Sequence, residues 1–513
     1  MNALNAQTKI LVIGAGAMGA GIAQVAAQAG HPVYLYDTRT DAIERGIAGI
    51  AADLARAVEK GKLDDAGRQT VLDRLRPLTD LAGAADAGLA IEAIVENIDV
   101  KQTLFKQLEA LLPADAILAS NTSSLSITAM GAALDRPERL AGLHFFNPAP
   151  RMKLVEIVSG LATSADIADT LYNTAKAWGK VPVRARSTPG FIVNRVARPF
   201  YGEALRLLGE CAARPATIDA ALRDCGGFPM GPFELMDLIG HDVNFAVTRS
   251  VFDATFGDRR YTPSLIQGEL VAAGRLGRKS GRGFYDYAKG AAMPAPHTEE
   301  AQPGESTVTV VGDLGIAAPL IQRLESAGID VRRTAGRGVT AGAGRGWIEI
   351  GEARLALSDG RAAYRRAAED GVSNLVLFDL CLDYATATRL VLARADDCGR
   401  GAWGSVTGTL QRAGMAVSRI DDVAGMAVLR TVAMLANEGA DAVLAGIATA
   451  ADVDTAMHFG TNYPKGPLAW ADELGIGFVA TVLANLRVHY GEERYRISPL
   501  IQRKSLVGGA FHE

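Results

Sequence analysis

A strand-like apolar segment that runs directly into a glycine-rich turn constrains the fold more than any other feature of this chain. Residues 10–13 are apolar and of strand type, and residues 20–29 form a helical pattern after the turn. A second strand-like segment, residues 32–36, follows and is closed by Asp37. Strand, glycine turn, helix and strand in this order predict a parallel α/β unit that binds a dinucleotide. The glycines of the turn are Gly14, Gly16 and Gly19.

Each residue of this motif has a physical task in such a site. Gly14 permits the tight turn, Gly16 lets the backbone approach a pyrophosphate, and Gly19 lets the helix pack closely on the strand. The free N–H groups and the positive dipole end of the helix bind the phosphates. Asp37 can accept hydrogen bonds from both ribose hydroxyls and would repel a 2′-phosphate. The motif therefore favours NAD(H) over NADP(H), and Arg39 is the nearby feature that works against this preference.

Composition excludes several classes of function. The chain has 513 residues, 49% of them hydrophobic, which is enough for several domains with separate cores. A net charge of −4 and the lack of a basic run argue against nucleic acid and a membrane surface. The four cysteines are widely spaced, so we expect reduced thiols and no metal site. No signal segment or membrane-spanning run is visible, and we expect a cytoplasmic enzyme.

Changes in pattern along the chain predict five segments. Strand-like and helix-like patterns alternate at first, which is typical of a parallel sheet, and then give way to long helical runs. A stretch rich in Pro, Ala, Gly and acids, without apolar periodicity, is predicted to be a linker. The fold class is thus α/β, with a Rossmann-type domain, an all-α domain, a degenerate α/β segment and a second all-α domain. The segments are residues 1–189, 190–288, 289–306 (the linker), 307–420 and 421–513.

The last two segments resemble a degenerate copy of the first two. Residues 453–467 align without gaps on residues 218–232, including a shared Pro-x-Gly-Pro. Residues 307–312 resemble residues 10–14, but the glycine spacing that follows is lost. In the gapless alignment Leu429 takes the place of Asn194. We therefore predict one active site per chain and a packing role for the second helical copy.

Three segments place polar residues in an apolar strand context. Asn121 to Ser124 follow a strand of buried type, at the end where ligands bind in open α/β sheets. His144 lies in a strand-like segment, residues 140–146, and Glu156 in another, residues 154–158. A carboxylate on one imidazole nitrogen can orient a histidine that acts as a base. His144 could equally be a satisfied core residue and Glu156 the partner of a surface lysine, and their spacing does not decide between these interpretations.

Six longer motifs follow one another along the first half of the chain. They are Ser-Asn-Thr-Ser-Ser-Leu at 120–125, His-Phe-Phe-Asn-Pro at 144–148, Lys-Leu-Val-Glu at 153–156, Thr-Pro-Gly-Phe-Ile-Val-Asn-Arg at 188–195, Phe-Pro-Met-Gly-Pro-Phe-Glu-Leu at 228–235 and Lys-Ser-Gly-Arg-Gly-Phe-Tyr at 279–285. Together they resemble the NAD-dependent 3-hydroxyacyl-CoA dehydrogenases, in family order from residue 8 to 287. The long form, with a second helical domain, resembles bacterial 3-hydroxybutyryl-CoA and 3-hydroxyadipyl-CoA dehydrogenases of the phenylacetate-degradation type.

The resemblance implies a mechanism and a set of site residues. His144 would take the proton from the 3-hydroxyl of the substrate, and Glu156 would orient His144. Ser123 and Asn194 would contact the reacting oxygen, with Asn194 supplied by the helical domain. Other residues match positions near the cofactor, which would be NAD, and the substrate would be an acyl-CoA. These positions are Glu96, Lys101, Asn121 and Asn147.

Three other interpretations stay open. The β-hydroxyacid dehydrogenases also join a cofactor-binding fold to a helical domain, but they use a catalytic lysine on the helices. A non-catalytic NAD-binding protein could arise within this family, as lens-type relatives show. The chain could also be one subunit of a fatty-acid oxidation complex, although no hydratase-like domain is visible. We expect a homodimer or a higher oligomer, and fatty-acid or aromatic-compound catabolism as the pathway.

Overall fold

The computed structural model describes residues 2–335 and 346–512. Residues 336–345, which fall within the predicted degenerate α/β segment, lie outside the described residues. Internal contacts divide the chain into two units. Unit 1 comprises Met1–Arg195 and Ala442–Thr461, and unit 2 comprises Val196–Asp441 and Asn462–Glu513.

Unit 1 is built on an eight-stranded sheet. Its strands are β1 (Ile10–Ile13), β2 (Val33–Tyr36), β3 (Leu75–Leu78), β4 (Leu89–Glu92), β5 (Ile117–Ser120), β6 (Leu140–Phe145), β7 (Leu154–Ser159) and β8 (Val181–Arg186). They lie in the order β3-β2-β1-β4-β5-β6-β7-β8, and all neighbours are parallel except β6 and β7. The strands β1, β4 and β5 are buried along their whole length, as is typical of parallel strands covered on both faces.

Six helices connect the strands of this sheet. They are α1 (Ala17–Gln28), α2 (Thr40–Glu59), α3 (Asp65–Asp73), α4 (Ile98–Leu111), α5 (Ile127–Gly131) and α6 (Ala165–Ala177). The helix α1 begins without a side-chain cap and without an acid in its first turn, so its first N–H groups remain available to a ligand. The helix α4 is capped conventionally, because Asn97 Oδ1 accepts from Asp99 N and Val100 N at 3.0 and 3.1 Å.

The next part of the chain is helical, as predicted. Its helices are α7 (Val193–Val196), α8 (Arg198–Gly209), α9 (Pro215–Ala220), α10 (Pro232–Ile239), α11 (His241–Ala254) and α12 (Leu265–Ala272). The helix α9 continues into a π-helical turn, Ala221–Cys225. Phe191 takes a φ of 45° just before α7. The unit boundary follows Arg195, so the start of this helical part is grouped with the first sheet.

Unit 2 contains a second sheet of seven strands. Strands and helices alternate as β9 (Thr307–Val311), α13 (Pro319–Ser326), β10 (Asp330–Thr334), β11 (Trp347–Ile350), β12 (Ala353–Leu357), α14 (Ala363–Asp370), β13 (Leu375–Phe378), β14 (Arg389–Arg394), α15 (Arg400–Arg412) and β15 (Ala416–Arg419). The strand order is β10-β9-β11-β12-β13-β14-β15, and three of the six neighbouring pairs are antiparallel. Leu314, at the place of Gly16, is buried with 3% exposure. A leucine side chain therefore occupies the position at which the first sheet leaves its backbone open.

The predicted linker has no helix or strand, but it is fastened to α15. The Gln411 amide donates to the carbonyls of Glu299 and Glu300 at 3.0 Å each, and Gln302 N donates back to Gln411 Oε1 at 2.9 Å. Glu299 N also pairs with Val417 O at 2.8 Å. Residues 297–306 therefore form a strap that is held along the second sheet and α15.

Five helices complete the chain. They are α16 (Val428–Leu444), α17 (Ala450–Thr461), α18 (Pro467–Leu474), α19 (Ile476–Tyr490) and α20 (Pro499–Val507). The helix α17 belongs to unit 1, where it packs against β7 and β8. Among the described residues no single helix is long and apolar enough to cross a membrane; α18 and α19 reach that length only together, across a 100° bend. The predicted fold class, a Rossmann-type domain and an all-α domain followed by a second sheet and second helical segment, is confirmed.

Candidate active site

The turn after β1 has the geometry that a pyrophosphate needs. Gly14 has a φ of 99°, and a Cβ there would lie 2.4 Å from Ala93 O. A Cβ on Gly19 would lie 1.7 Å from Gly14 O, so only glycine lets α1 approach the strand this closely. Gly16 has nothing within 4 Å of its Cβ position. The backbone is thus tightly packed on the strand side and open at Gly16, before uncapped N–H groups of α1.

Asp37 closes β2 and is fixed by the same turn. Its Oδ2 accepts from Ala15 N at 2.8 Å and its Oδ1 from Arg39 N at 3.0 Å. Each oxygen keeps acceptor capacity for a further hydroxyl donor. Asp37 lines a cleft of about 740 Å³ together with Gly14, Gly16 and the partly exposed apolar residues Val95 and Val100. This cleft offers an apolar wall for a base and a carboxylate for a ribose.

Glu96 and Lys101 belong to an ion cluster next to this cleft, in which Lys101 is buried and Glu96 is exposed. Lys101 is 1% exposed, and its ammonium binds Glu92 Oε1 at 2.5 Å and Glu96 Oε2 at 3.2 Å. Glu96 Oε1 accepts from Thr122 Oγ1, Ser123 N and Ser124 N at 2.5, 3.2 and 3.1 Å. Burial would raise the pKa of Glu96, but these hydrogen bonds and the Lys101 charge outweigh it and hold the pKa below its ordinary value. The cluster fixes the loop that carries Ser123.

Asn121 and Asn194 hold the neighbouring backbone in place. Asn121 Oδ1 accepts from Phe145 N at 2.8 Å, which ties the end of β5 to the end of β6. Asn194 Nδ2 donates to Ser123 O at 3.4 Å. Ser123 and Asn194 are therefore neighbours within unit 1. Asn147 is exposed on the loop that follows β6.

His144 and Glu156 face each other across the antiparallel pair of β6 and β7. The two residues are register partners, which places their side chains on the same face of the sheet. His144 Nδ1 lies 2.6 Å from Glu156 Oε2, and the two residues are 6% and 0% exposed. Phe146 and Phe191 flank the imidazole, with ring centroids 4.5 and 5.9 Å away. The buried pair excludes a surface lysine as the partner of Glu156.

Glu156 also holds the chain that leads into α7. Its Oε1 accepts from Ile192 N and Val193 N at 3.0 Å each. Both carboxylate oxygens are thus used, one on the histidine and one on the first turn of the helix that carries Asn194. A fully hydrogen-bonded carboxylate keeps its charge when buried. One side chain sets the positions of two predicted site residues.

A second, basic cavity lies on the other side of α1. It has a volume of about 480 Å³ and is lined by the first turns of α1, by the face of α2 and by the loop at Pro148 to Arg151. Four arginines line it with one acid, Asp53, which binds two of them and Gln24 at 3.0–3.3 Å. Its positive charge suits a phosphorylated ligand. The arginines are Arg39, Arg45, Arg56 and Arg151.

Sequence reasoning missed Glu92, which connects several predicted residues. It is 0% exposed at the end of β4, and it accepts from Ser120 Oγ at 2.6 Å and Ile94 N at 2.7 Å in addition to binding Lys101. The available signal was an acid in the last position of an apolar strand, since a buried carboxylate requires a partner. Among the described residues, no cluster of three or more His, Cys, Asp or Glu side chains has the arrangement of a metal site.

Family models match the chain along most of its length. The model of the 3-hydroxyacyl-CoA dehydrogenase NAD binding domain matches residues 9–188. The model of the C-terminal domain of the same family matches twice, at residues 190–287 and 425–509. The model of the 3-hydroxybutyryl-CoA dehydrogenase reduced Rossmann-fold domain matches residues 355–423.

Full-length relatives have the same organisation. The chain is 46% identical over 508 residues to the 3-hydroxyadipyl-CoA dehydrogenase of Escherichia coli K12, covering 99% of both chains. A crystal structure of 3-hydroxybutyryl-CoA dehydrogenase from Escherichia coli K12 has a TM-score of 0.88 at 46% identity, over 98% of this chain and 99% of that one. A probable 3-hydroxybutyryl-CoA dehydrogenase of Deinococcus radiodurans is 46% identical over 54% of this chain and 100% of its own length. The chain therefore belongs to the family of NAD-dependent 3-hydroxyacyl-CoA dehydrogenases.

Proposed function

We propose that this enzyme interconverts L-3-hydroxyacyl-CoA and 3-oxoacyl-CoA, with His144 as the general base and Glu156 as its positioning residue. The observation that carries the proposal is the buried pair of His144 Nδ1 and Glu156 Oε2 at 2.6 Å. Because Nδ1 is bound to the carboxylate, Nε2 is the nitrogen that can take the proton of the 3-hydroxyl. NAD⁺, when bound, accepts the hydride that leaves C3.

The remaining site residues act on orientation and charge. Glu156 stabilises the imidazolium that forms when His144 takes the proton, because a buried negative charge lies beside it. Ser123 and Asn194 would donate hydrogen bonds to the reacting oxygen. Their mutual contact of 3.4 Å supports a shared role. Asn121 would act by holding the backbone of Phe145, next to His144.

The residues of the cleft fit NAD. The N–H groups of α1 beyond Gly16 would bind the pyrophosphate, and Asp37 would accept from the ribose hydroxyls. Glu96 and Asn147 would lie toward the nicotinamide end. Lys101 would act through Glu96 and Glu92, since both carboxylates hold its ammonium.

The basic cavity beside α1 would receive the phosphates of CoA. Its four arginines outnumber their two carboxylate partners, which are Asp53 for Arg56 and Arg151 and Asp41 for Arg45. Arg39 reaches both this cavity and the NAD cleft, so it would lie between two phosphorylated ligands. An arginine fork matches the geometry of a phosphate. This arrangement supports an acyl-CoA substrate over a small free hydroxy acid.

Several broader predictions belong to the same proposal. We infer a cytoplasmic enzyme, supported by four free cysteines, and fatty-acid or aromatic-compound catabolism as the pathway, supported by the acyl-CoA substrate in the name of the Escherichia coli relative. The five-segment division of the chain stays a proposal, supported by the ranges of the family matches. A homodimer or higher oligomer is supported by apolar side chains of unit 2 that are 87–100% exposed, namely Phe256, Leu265 and Leu506.

The test is steady-state formation of NADH with a set of CoA thioesters. We expect turnover with L-3-hydroxybutyryl-CoA and L-3-hydroxyadipyl-CoA, and a clear preference for NAD⁺ over NADP⁺. Free 3-hydroxybutyrate is the matched control, because it presents the same carbinol without the CoA phosphates. Turnover of free 3-hydroxybutyrate alone would favour a β-hydroxyacid dehydrogenase, and binding of NAD⁺ without any turnover would favour the non-catalytic interpretation.

A further inference from the structure

Unit 2 contains a cavity whose charged lining residues are all arginines. The cavity has a volume of about 160 Å³ and lies between α8, α11, the start of α12 and the segment before α20. Its lining includes no aspartate or glutamate among the described residues. It also presents hydroxyl and amide groups, such as those of Thr248 and Gln267. The arginines are Arg198, Arg206, Arg260 and Arg494.

Three of these arginines have carboxylate partners outside the cavity lining. Arg206 binds Glu492 through both terminal nitrogens, at 3.0 and 2.7 Å. Arg494 Nη1 lies 3.4 Å from Glu203 Oε1, a carboxylate that Arg430 also binds. Arg260 binds Glu438 at 3.4 Å and contacts Asp441 still more closely.

Arg198 is the exception, since no carboxylate lies within ion-pair distance of it in the described part of the chain. It is 7% exposed, and Nη1 donates to Thr248 Oγ1 at 3.0 Å. Its guanidinium carbon lies 4.9 Å from the centroid of the Tyr201 ring, and its buried Nε has no hydrogen-bond partner. Burial lowers the pKa of Arg198, which is the expected response to a desolvated and unpaired charge. Nη2 donates to no protein acceptor among the described residues.

A buried cation without a counter-charge is costly, and an arginine at this position does not lose its proton to avoid the cost. The second helical copy has Ala433 at the position equivalent to Arg198. The fold of a helical copy therefore does not require an arginine here. A group that enters the cavity would supply the counter-charge that the described residues do not provide.

We propose that this cavity is a binding site for a small oxyanion, a carboxylate or a phosphate group, with Arg198 as the residue that binds it. The guanidinium fork supplies parallel N–H donors that match two oxygens of such a group. Thr248 orients the fork, and the other three arginines are held by their own carboxylates, so Arg198 is the charge left for the anion. The site goes beyond the proposed dehydrogenase function and requires no part of it.

The first test is isothermal titration of the intact enzyme with inorganic phosphate, and separately with acetate, in chloride buffer at constant ionic strength. Beside any binding at the proposed CoA and NAD sites, we expect one saturable site per chain that depends on Arg198. Arg198→Met should weaken it by at least tenfold, because the fork and its charge are removed. Arg249→Met is the matched control, since Arg249 is an exposed neighbour of Thr248 outside the cavity lining, and it should leave the affinity unchanged.

A second variant covers the case in which Arg198→Met does not fold. Arg198→Lys keeps the charge but loses the fork, so it should bind the anion more weakly than the unmodified enzyme and more tightly than Arg198→Met. The proposal is overturned if neither phosphate nor acetate binds saturably to the unmodified enzyme. Equal affinity of the unmodified enzyme and the Arg198 variants overturns it as well.

Steady-state kinetics of Arg198→Met identify the source of the anion. This experiment alone depends on the proposed function. In phosphate-free buffer, a loss of at least tenfold in kcat/KM of Arg198→Met for L-3-hydroxyadipyl-CoA but not for L-3-hydroxybutyryl-CoA assigns the site to the terminal carboxylate of a substrate. Equal effects on both substrates, with phosphate binding weakened, assign it to a free oxyanion. Failure of both substrates with intact phosphate binding contradicts the proposed function and leaves the anion site standing.

Discussion

The first turn of each helical copy is held by a buried carboxylate, but only one of the two carboxylates also binds a histidine. Glu156 of β7 accepts two backbone N–H groups at 3.0 Å and binds His144 at 2.6 Å. Asp379, just after β13, accepts hydrogen bonds from backbone N–H groups with both oxygens. They belong to Leu380, Ala427, Val428 and Leu429, at 2.8–2.9 Å.

The backbone before each helix is also alike. Gly190 and Gly425 both have a φ of 76°, and the residues that follow them, Phe191 and Met426, have φ values of 45° and 52°. The same two-residue turn thus aims N–H groups at a carboxylate in both copies. The second copy therefore keeps the carboxylate that accepts backbone N–H groups. It has no histidine on a strand next to Asp379.

The two copies pack through reciprocal contacts in unit 2. Glu203 of the first copy accepts from Tyr495 at 2.8 Å and lies 3.4 Å from Arg494 of the second. Glu438 of the second copy contacts Tyr261 and lies 3.4 Å from Arg260 of the first. Such an exchange is typical of a twofold interface. The two copies thus pack against each other through these residues, whereas α17 packs on the first sheet instead.

The largest expected effect is the loss of kcat when the histidine beside Glu156 is replaced. His144→Gln should lower kcat by about 10²–10⁴, the usual contribution of a general base, and leave the affinity for NAD⁺ nearly unchanged. Steady-state kinetics and a fluorescence titration with NADH measure the two quantities. His297→Gln, which alters an exposed histidine of the strap, should keep normal kcat. A near-normal kcat of His144→Gln would falsify the assignment of the base.

Breaking one side of the reciprocal interface should affect stability. Glu203→Gln should lower the free energy of unfolding by about 3–5 kcal/mol, because Arg430, at 0% exposure, loses its buried counter-charge and keeps only the partly exposed Glu210. Glu438→Gln should cost less, since Arg260 keeps Asp441. Urea unfolding measures both. Equal losses would show that the interface is energetically as well as geometrically symmetric.

The same variant should change the response to acid. Burial would raise the pKa of Glu203, but the charges of Arg430 and Arg494 outweigh it and hold the pKa below the ordinary 4.5. Its stabilising contribution is therefore complete above about pH 4.5 and is lost as the pH falls through the lower pKa of the folded state. In Glu203→Gln, the free energy of unfolding measured by urea unfolding should therefore fall less steeply as the pH is lowered below about 4.5.

A third comparison concerns Asn194 and Leu429, which occupy equivalent positions. Leu429→Ala should lower the free energy of unfolding by about 2–5 kcal/mol, because Leu429 is 0% exposed and a cavity would remain. KM should change little. Asn194→Ala should do the reverse, with a loss of kcat and a small change in stability. A large loss of kcat in Leu429→Ala would argue for a second functional site.

A fourth pair of variants tests the two carboxylates directly. Glu156→Gln should lower kcat by roughly 10–100-fold, since a hydrogen bond to a charged group contributes about 1.5–3 kcal/mol. Asp379→Asn should lower stability by a similar free energy and leave kcat unchanged. Stopped-flow kinetics and thermal unfolding separate the outcomes. If both variants lost activity equally, the contrast between the sites would be wrong.

The smallest expected effect is on cofactor binding, which distinguishes the glycine turn after β1 from the turn after β9. Asp37→Ala should reduce the preference for NAD⁺ over NADP⁺ by about five- to tenfold, since repulsion between unit charges about 4 Å apart is worth about 1 kcal/mol in water. Titration of the unmodified enzyme should give one NAD⁺ per chain, because Leu314 fills the open position of the second turn. Two equivalent cofactor sites would contradict the view of the second sheet as a degenerate copy.

The sequence by itself determined the elements whose signals are local. The motif from β1 to Asp37 was readable because glycine spacing and apolar runs depend on the residues alone. The second sheet was only partly readable. Its strand β9 was predicted from its likeness to residues 10–14, whereas β10 has the mostly exposed sequence DVRRT, which carries no strand periodicity.

Only the tertiary structure decided which charges meet. Glu92 and Lys101 are nine residues apart along the chain, but Glu203 and Arg430 are 227 apart, and no spacing rule connects them. Tertiary packing also decided that Arg198 would be buried without a carboxylate, beside arginines from distant segments. Local sequence fixes hydrogen bonds made within an element, but the partner of a buried charge depends on which elements the fold brings together.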